Sequence, residues 1–256
     1  MSEFEGERIA KVIARAGVCS RRDAERLIAE GRVGLNGKTL TSAAVNVTHK
    51  DQVRVNGKLL PQKEEARLWR YHKPAGLVVS HKDPEGRETV FDKLREQLPR
   101  VLSIGRLDIN TEGLLLLTND GELERALELP SAGWIRRYRV RAYGKVDDAM
   151  LARIAKGVEI EGVRYGPVEA KIDQTQGDNV WLTLAIKEGK NREVKKLCEY
   201  LGLKVNRLIR ISFGPFGLGE LARGGLDEVP PKVLHEQLGD KFRGAHADRR
   251  RKIQRS

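Results

Sequence analysis

The sequence predicts an α+β protein: a small unit of two helices and short strands, followed by a larger strand-rich domain with flanking helices. Three observations carry that expectation. Residues 7–60 show two helical periods and then short alternating pairs, whereas from residue 67 strand patterns dominate. Between them, Pro61-Gln62-Lys63-Glu64-Glu65-Ala66 has no apolar periodicity and is expected to be a linker, 61–66. At 256 residues the chain can bury one good-sized core and a small satellite core.

In the first unit Ile9, Val12, Ile13 and Ala16 recur at helical spacing, and Gly17 closes the run. Ser20 followed by Asp23 is a capping box, opening a second helix with Ala24, Leu27 and Ile28 inside and Gly31 at its end. Val33 and Leu35 alternate into the turn Asn36-Gly37, and Val53 and Val55 into Asn56-Gly57. In the second domain, residues 67–240, a strand from Leu68 to His72 leads through Lys73-Pro74-Ala75-Gly76 into a second strand, Leu77–Ser80. A polar loop, Asp83 to Arg87, precedes a short helix from Val90 to Leu94. Leu114 to Leu117, between Gly113 and Asn119-Asp120-Gly121, has the unbroken apolar run of a strand buried on both faces.

A helix near Glu122 to Leu127 comes next, then Ile135 to Arg141, where basic residues at 137, 139 and 141 alternate with apolar 138 and 140 as in a half-buried strand. Asp147 opens a helix with Leu151 and Ile154 inside and Gly157 at its end, and strands follow at about 158–161, 167–173 and 179–187. Asn191 is the expected N-cap of a helix with Val194, Leu197 and Leu201 on one face. A strand from Val205 to Phe213 and a helix from Pro231 to Leu238 complete the domain, and 241–256 is expected to be a disordered basic tail.

The formal charge of +12 is unevenly placed. Residues 1–60 hold 11 basic against 7 acidic groups and residues 241–256 hold 7 against 1, leaving +2 for everything between. Basic extremities around a balanced middle suit a polyanionic partner. Cys19 and Cys198 lie far apart without a CxxC pair or a histidine at ligand spacing, which argues against a zinc site and a disulfide framework. The N-terminus lacks the charge and apolar core of a signal peptide, and no segment approaches a membrane span, so a cytoplasmic location is expected. No G-x-x-x-x-G-K-[ST] run is present.

The chemistry-bearing stretch is Ser103 to Gly121, SIGRLDINTEGLLLLTNDG, which places Asp108 and Arg106 in a polar loop at the mouth of the leucine strand. An isolated loop Asp ordinarily caps its own turn. GRLDINTEGLLLLTNDG, however, resembles the catalytic-loop motif of the RsuA/RluB family of ribosomal RNA pseudouridine synthases, in which the Asp of GRLD is essential. KPAG at 73–76 resembles the family's opening element. Arg136 and Tyr138 resemble its second motif, whose Tyr packs against the target base, and EGKNREVKKL at 188–197 resembles its third. Residues 7–60 resemble the S4 RNA-binding domain.

The resemblance implies a mixed, mainly antiparallel synthase sheet behind an S4-like unit at 7–60. Asp108, Tyr138 and Lys195 are the implied catalytic set, with Lys195 pairing Asp108. Arg106, Arg87, Arg136, Lys190 and Arg192 are implied RNA contacts, and so are Arg15, Arg21, Arg22 and Arg26 around the second helix, as phosphate contacts that position rather than specify. It implies no cofactor and no metal. The implied partner is rRNA, with KDPEGR at 82–87 and the EGKNREV run closest to the branch acting on large-subunit 23S rRNA; a monomer without membrane contact is expected. Three alternatives stay open. A small-subunit enzyme would share the fold and catalytic set, and a tRNA synthase is disfavoured by the S4 unit. A non-catalytic S4-type RNA-binding protein would explain the charge but not the Asp loop, Tyr strand and Lys helix of one domain.

Overall fold

A computed structural model describes residues 6–62 and 64–239. The basic tail 241–256, residue 240 and Lys63 of the expected linker lie outside the described residues. The chain divides into two compact units. One holds residues up to 66 together with 95–102 and 119–121; the other is built from 67–94, 103–118 and the chain from 122 on.

The first unit follows its local signals. Helix Ile9–Arg15 buries Ile9, Ala10 and Ile13. Helix Arg21–Ala29 starts where Ser20 Oγ accepts the Asp23 backbone N–H at 3.1 Å and donates to Asp23 Oδ2 at 2.7 Å, so one side chain occupies two groups of the helix start. Four antiparallel strands follow in the order Lys38–Leu40, Val33–Leu35, Val53–Val55, Lys58–Leu59. Both hairpins turn on Asn-Gly, with φ of 50° and 83° at Asn36-Gly37 and 51° and 78° at Asn56-Gly57; a two-residue turn of this hand needs positive φ at both positions. Ile9, Ile13, Ala24, Ile28, Val33, Val53 and Val55 close one core.

The second unit is a nine-stranded sheet, among the described residues, with flanking helices. Its main path runs Glu169–Gln176, Asn179–Ile186, Arg136–Tyr143, Lys204–Phe213, Thr111–Thr118, Leu68–Lys73, Leu226–Glu228. All neighbours are antiparallel except Lys204–Phe213 against Thr111–Thr118. The leucine strand, near the middle, has every residue buried. In Arg136–Tyr143 the alternation holds: Tyr138, Val140 and Ala142 are buried while Arg137, Arg139 and Arg141 are exposed. Among the described residues no helix is long and apolar enough to cross a membrane.

Three local expectations need correction. Leu77–Ser80 forms no strand; Val78 makes a single bridge to Thr89, and Val78 and Val79 line a cavity instead of extending the sheet edge. The strand expected near 158–161 is present as Val158–Ile160, but it forms a hairpin with an unforeseen strand, Val163–Tyr165, through a turn on Glu161-Gly162 at φ 51° and 75°. There Glu takes the left-handed place that Asn signals elsewhere, and so the turn left no mark in the pattern. The helix that begins within the third motif spans Glu193–Tyr200, and its N-cap is Arg192, not Asn191.

Gly113 explains how two strands come together. Its φ is +101°, and a Cβ there would lie 2.3 Å from the Arg210 carbonyl oxygen and 2.7 Å from its nitrogen. The backbone of the neighbouring strand cannot give way, so Gly113→Ala is expected to destabilise the second unit by more than about 3 kcal/mol, adding steric clash to the conformational penalty. Urea unfolding checks this; a midpoint unchanged from wild type would refute it.

Candidate active site

The sheet brings the loop before the leucine strand, the strand Arg136–Tyr143 and the helix Glu193–Tyr200 onto one cavity of about 860 Å³. Asp108, Tyr138 and Lys195 all line it. Lys195 Nζ donates to Asp108 Oδ2 at 2.8 Å. The Asp108 side chain is 35% exposed and the Lys195 side chain 14%, so the carboxylate is open to a bound molecule while the ammonium lies behind it. Tyr138 is 8% exposed, its side chain forming wall rather than surface.

The loop carrying Asp108 is anchored by its backbone. Gly105 N–H donates to Glu128 Oε1 at 2.6 Å, Thr111 N–H to the Asp108 carbonyl at 2.9 Å, and Gly76 N–H to the Ile109 carbonyl at 2.8 Å. The largest contribution comes from Lys73, which is fully buried. Its ammonium donates to the carbonyl oxygens of Pro74 at 2.9 Å, Asp108 at 3.3 Å, Ile109 at 3.1 Å and Thr111 at 2.9 Å. One cation thus gathers the carbonyl of Asp108 and those of two residues that follow it. The sequence singled out the KPAG turn but not this role; the available signal was a lysine ending a strand otherwise apolar enough to be buried.

Burial lowers the Lys73 ammonium from 10.5 to about 8, against the attraction of Glu112 and Asp108 and with a small push from Lys195. Between those pH values the unfolded chain keeps a proton that the folded chain has released. This group therefore makes the folded state relatively more stable as pH rises across that window, by about 3 kcal/mol in full. Lys73→Met, which cannot titrate, should lose that slope and slow turnover about 100-fold as the loop loosens. Urea unfolding of both proteins between pH 7.5 and 10 is the check; parallel pH profiles would count against it.

Eight basic and five acidic residues line the cavity, a positive balance suited to a phosphodiester chain. The basic residues differ in how committed they are. Arg87 is held by Asp83 at 3.0 and 2.7 Å and by Glu85 at 2.9 Å; this bidentate grip lowers Asp83 to about 2. Arg136 Nη1 donates to the Lys187 carbonyl at 2.8 Å and the Trp134 carbonyl at 3.1 Å, and its guanidinium lies 4.5 Å from the Phe213 ring centroid. Burial pushes the Arg136 pKa down, and the residue acts first as a strut beneath the third motif. Lys190 faces Glu188 at 2.7 Å and also bonds the Arg164 carbonyl.

Arg106 and Arg192 are exposed on the rim. Arg192 adopts φ 51°, ψ 25°, a left-handed conformation that costs a non-glycine residue about 1 kcal/mol. Pattern reading missed Arg210, 2% exposed, whose Nε donates to the Leu114 carbonyl at 2.7 Å and whose buried Nη2 has no acceptor among the described residues. It also missed Glu193, a buried carboxyl raised by desolvation, with one oxygen accepting the Lys190 N–H at 3.0 Å. In the first unit Arg15 pairs with Glu7, and Arg26 lies 2.9 Å from Asp23 and 3.9 Å from Glu30. Arg21 and Arg22 stay exposed.

No group of three His, Cys, Asp or Glu able to hold a metal occurs among the described residues. Cys198 is buried, its thiol pushed up to about 12 by desolvation, and so is not a nucleophile.

The sequence profile of a family described as RNA pseudouridylate synthase matches residues 67–200, and that of the S4 domain matches residues 7–53. The chain belongs to the RNA pseudouridylate synthase family. It is a pseudouridine synthase of the RsuA/RluB type with an N-terminal S4 domain, in an α+β fold. It is 50% identical over 230 residues to a Rickettsia felis protein named "Uncharacterized RNA pseudouridine synthase", covering 90% of this chain and 100% of that one. It is 47% identical over 232 residues to the Haemophilus influenzae "Ribosomal large subunit pseudouridine synthase B", covering 88% of this chain and 65% of that one. A solved structure described as a pseudouridylate synthase superposes with a TM-score of 0.62 at 30% identity, over 90% of this chain and 99% of that one. The cavity holding Asp108 lies within this synthase unit.

Proposed function

We propose that this synthase converts a specific uridine of large-subunit (23S) rRNA to pseudouridine in the cytoplasm, with Asp108 as the reacting carboxylate and with no cofactor. The observation that carries the reading is the 2.8 Å pair of Lys195 and Asp108 in a cavity that Tyr138 also lines. Large-subunit rRNA is supported by the name of the Haemophilus influenzae relative.

The isomerisation balances within the nucleoside itself. The N1–C1′ bond breaks, C5–C1′ forms, a proton leaves C5 and a proton is gained at N1. No oxidant, reductant or second substrate enters. Asp108 supplies the carboxylate beside the ribose or the base. Lys195 orients that carboxylate, and because it is only part-covered it does so without the heavy desolvation of a fully buried pair. Tyr138 offers an aromatic face on which an extruded uracil can stack. Arg210 Nη2, a buried donor on the same wall, suits an oxygen of a uracil that becomes electron-rich when its bond to the sugar breaks. Arg106 on the Asp108 loop and Arg192 across the rim are the proposed phosphate contacts nearest the target. Arg21 and Arg22, exposed on the S4 helix, are the proposed distant grip.

The test is chemical. Full-length large-subunit and small-subunit rRNA transcripts and bulk tRNA are incubated with the wild-type protein, and pseudouridines are mapped. A single new pseudouridine in the large-subunit transcript is expected. Modification of only small-subunit rRNA or tRNA would move the substrate, and no product in any RNA would sink the proposal.

A further inference from the structure

Beside the catalytic cavity lies a second one, of about 660 Å³, that shares Arg192, Lys195 and Leu208 with it. The two therefore adjoin at those residues. The second cavity also presents Asn110, Lys204, Asn206 and Arg207, with Glu199 as the acidic residue among its lining. Arg207 is already engaged by Glu112 at 2.8 and 3.1 Å. The side chains of Arg192, Lys204, Asn110 and Asn206 make no hydrogen bond or ion pair among the described residues.

Backbone strain adds a second observation. Arg192, not the neighbouring Asn191, takes the left-handed conformation, although Asn adopts it more readily. That turn sets the guanidinium on the wall common to both cavities. Asn110 follows Asp108 by two positions, so the carboxylate that meets the target and the first carboxamide of the neighbouring cavity sit on one loop. The volume suits one nucleotide. Two cations and two carboxamides are the groups that hold a phosphate and read a base edge.

We propose that the second cavity receives the nucleotide adjacent to the target uridine, with Arg192 and Lys204 on its phosphate and Asn110 and Asn206 on its base edge. These residues would then contribute to sequence context around the modified site. The inference rests on the pseudouridine-synthase reading and deepens it.

The test uses the full chain and a large-subunit stem-loop containing the uridine that the wild-type enzyme modifies. That RNA is also made with an abasic residue on either side of the target. One of the two abasic RNAs should cost wild type about tenfold in kcat/KM, mostly in KM. The Asn110→Ala/Asn206→Ala variant should lose about the same on intact RNA and nothing more on that abasic RNA. Arg192→Gly relieves the strain and removes the cation, and it should lower the slope of log Kd against log salt by about one; Arg192→Lys should restore it. Full activity of the double Asn variant on intact RNA, multiplying losses on the abasic RNA, or an unchanged salt slope for Arg192→Gly would overturn the inference. Absence of wild-type product on every rRNA would instead overturn the functional reading beneath it.

Discussion

Asp108→Asn should leave no measurable pseudouridine formation, a loss of at least about 1,000-fold in single-turnover rate, equivalent to about 4 kcal/mol of transition-state stabilisation. The reasoning is one of charge at almost constant shape. The amide keeps the size of the carboxylate but cannot provide its negative charge to the sugar or the base. Stability should stay within about 1 kcal/mol of wild type, because the Asp108–Lys195 pair is part-exposed and such pairs contribute little to folding. RNA affinity should also survive, since Asp108 adds no positive charge. The measurement is pseudouridine yield against time at saturating enzyme, with the urea midpoint and the RNA Kd as controls. Wild-type yield from a folded Asp108→Asn protein would remove Asp108 from the chemistry.

Lys195→Met should reduce turnover at least about 100-fold while leaving Kd for the stem-loop within about threefold, and Lys195→Arg should recover more activity than any neutral substitution. Lys195 Nζ is the group within hydrogen-bond distance of Asp108 Oδ2, at 2.8 Å, so its loss releases the carboxylate to other orientations in the cavity. Lys73, a fully buried ammonium that bonds the Asp108 carbonyl, is committed to four carbonyl oxygens and cannot substitute. The discriminating pattern is a fall in kcat with little change in KM. A Met variant that turns over normally would show the ion pair to be incidental.

Much of the fold was legible because its signals are local. Ser20 caps a helix through Asp23 three residues away, and each Asn-Gly pair turns a hairpin whose strands adjoin it. The strand Arg136–Tyr143 alternates because side chains along a strand point to opposite faces. Where a signal was weak, its element was missed. Phe216–Gly217 and Leu226–Glu228 have two and three residues, too few to show a period, and are strands only because the end of Lys204–Phe213 beyond its parallel pairing and the edge of Leu68–Lys73 are free to pair. Arg192 displaced Asn191 as the helix N-cap because the turn needs a left-handed residue one place later.

For the site, the residue types, their three motifs and, through the family resemblance, the pairing of Lys195 with Asp108 could be read from the chain; the other partners could not. Arg136, an RNA contact by the family resemblance, lines the cavity, and its guanidinium also bonds carbonyls at separations of 51 and 52 residues, which no local pattern could show.

By itself, the sequence determined the helices, the turns, the leucine strand and the carboxylate, ring and amine that line the cavity, because each is written within a few consecutive residues. Only the tertiary structure decided the 2.8 Å geometry of the expected Lys195–Asp108 pair, that Lys73 holds the Asp108 loop from 35 positions upstream, and that Arg210 reaches Leu114 across 96. Those contacts depend on the order and register of the sheet, and above all on one parallel pairing that Gly113 permits. Strand register is settled by the packing of distant faces against each other, a property of the whole unit rather than of any segment.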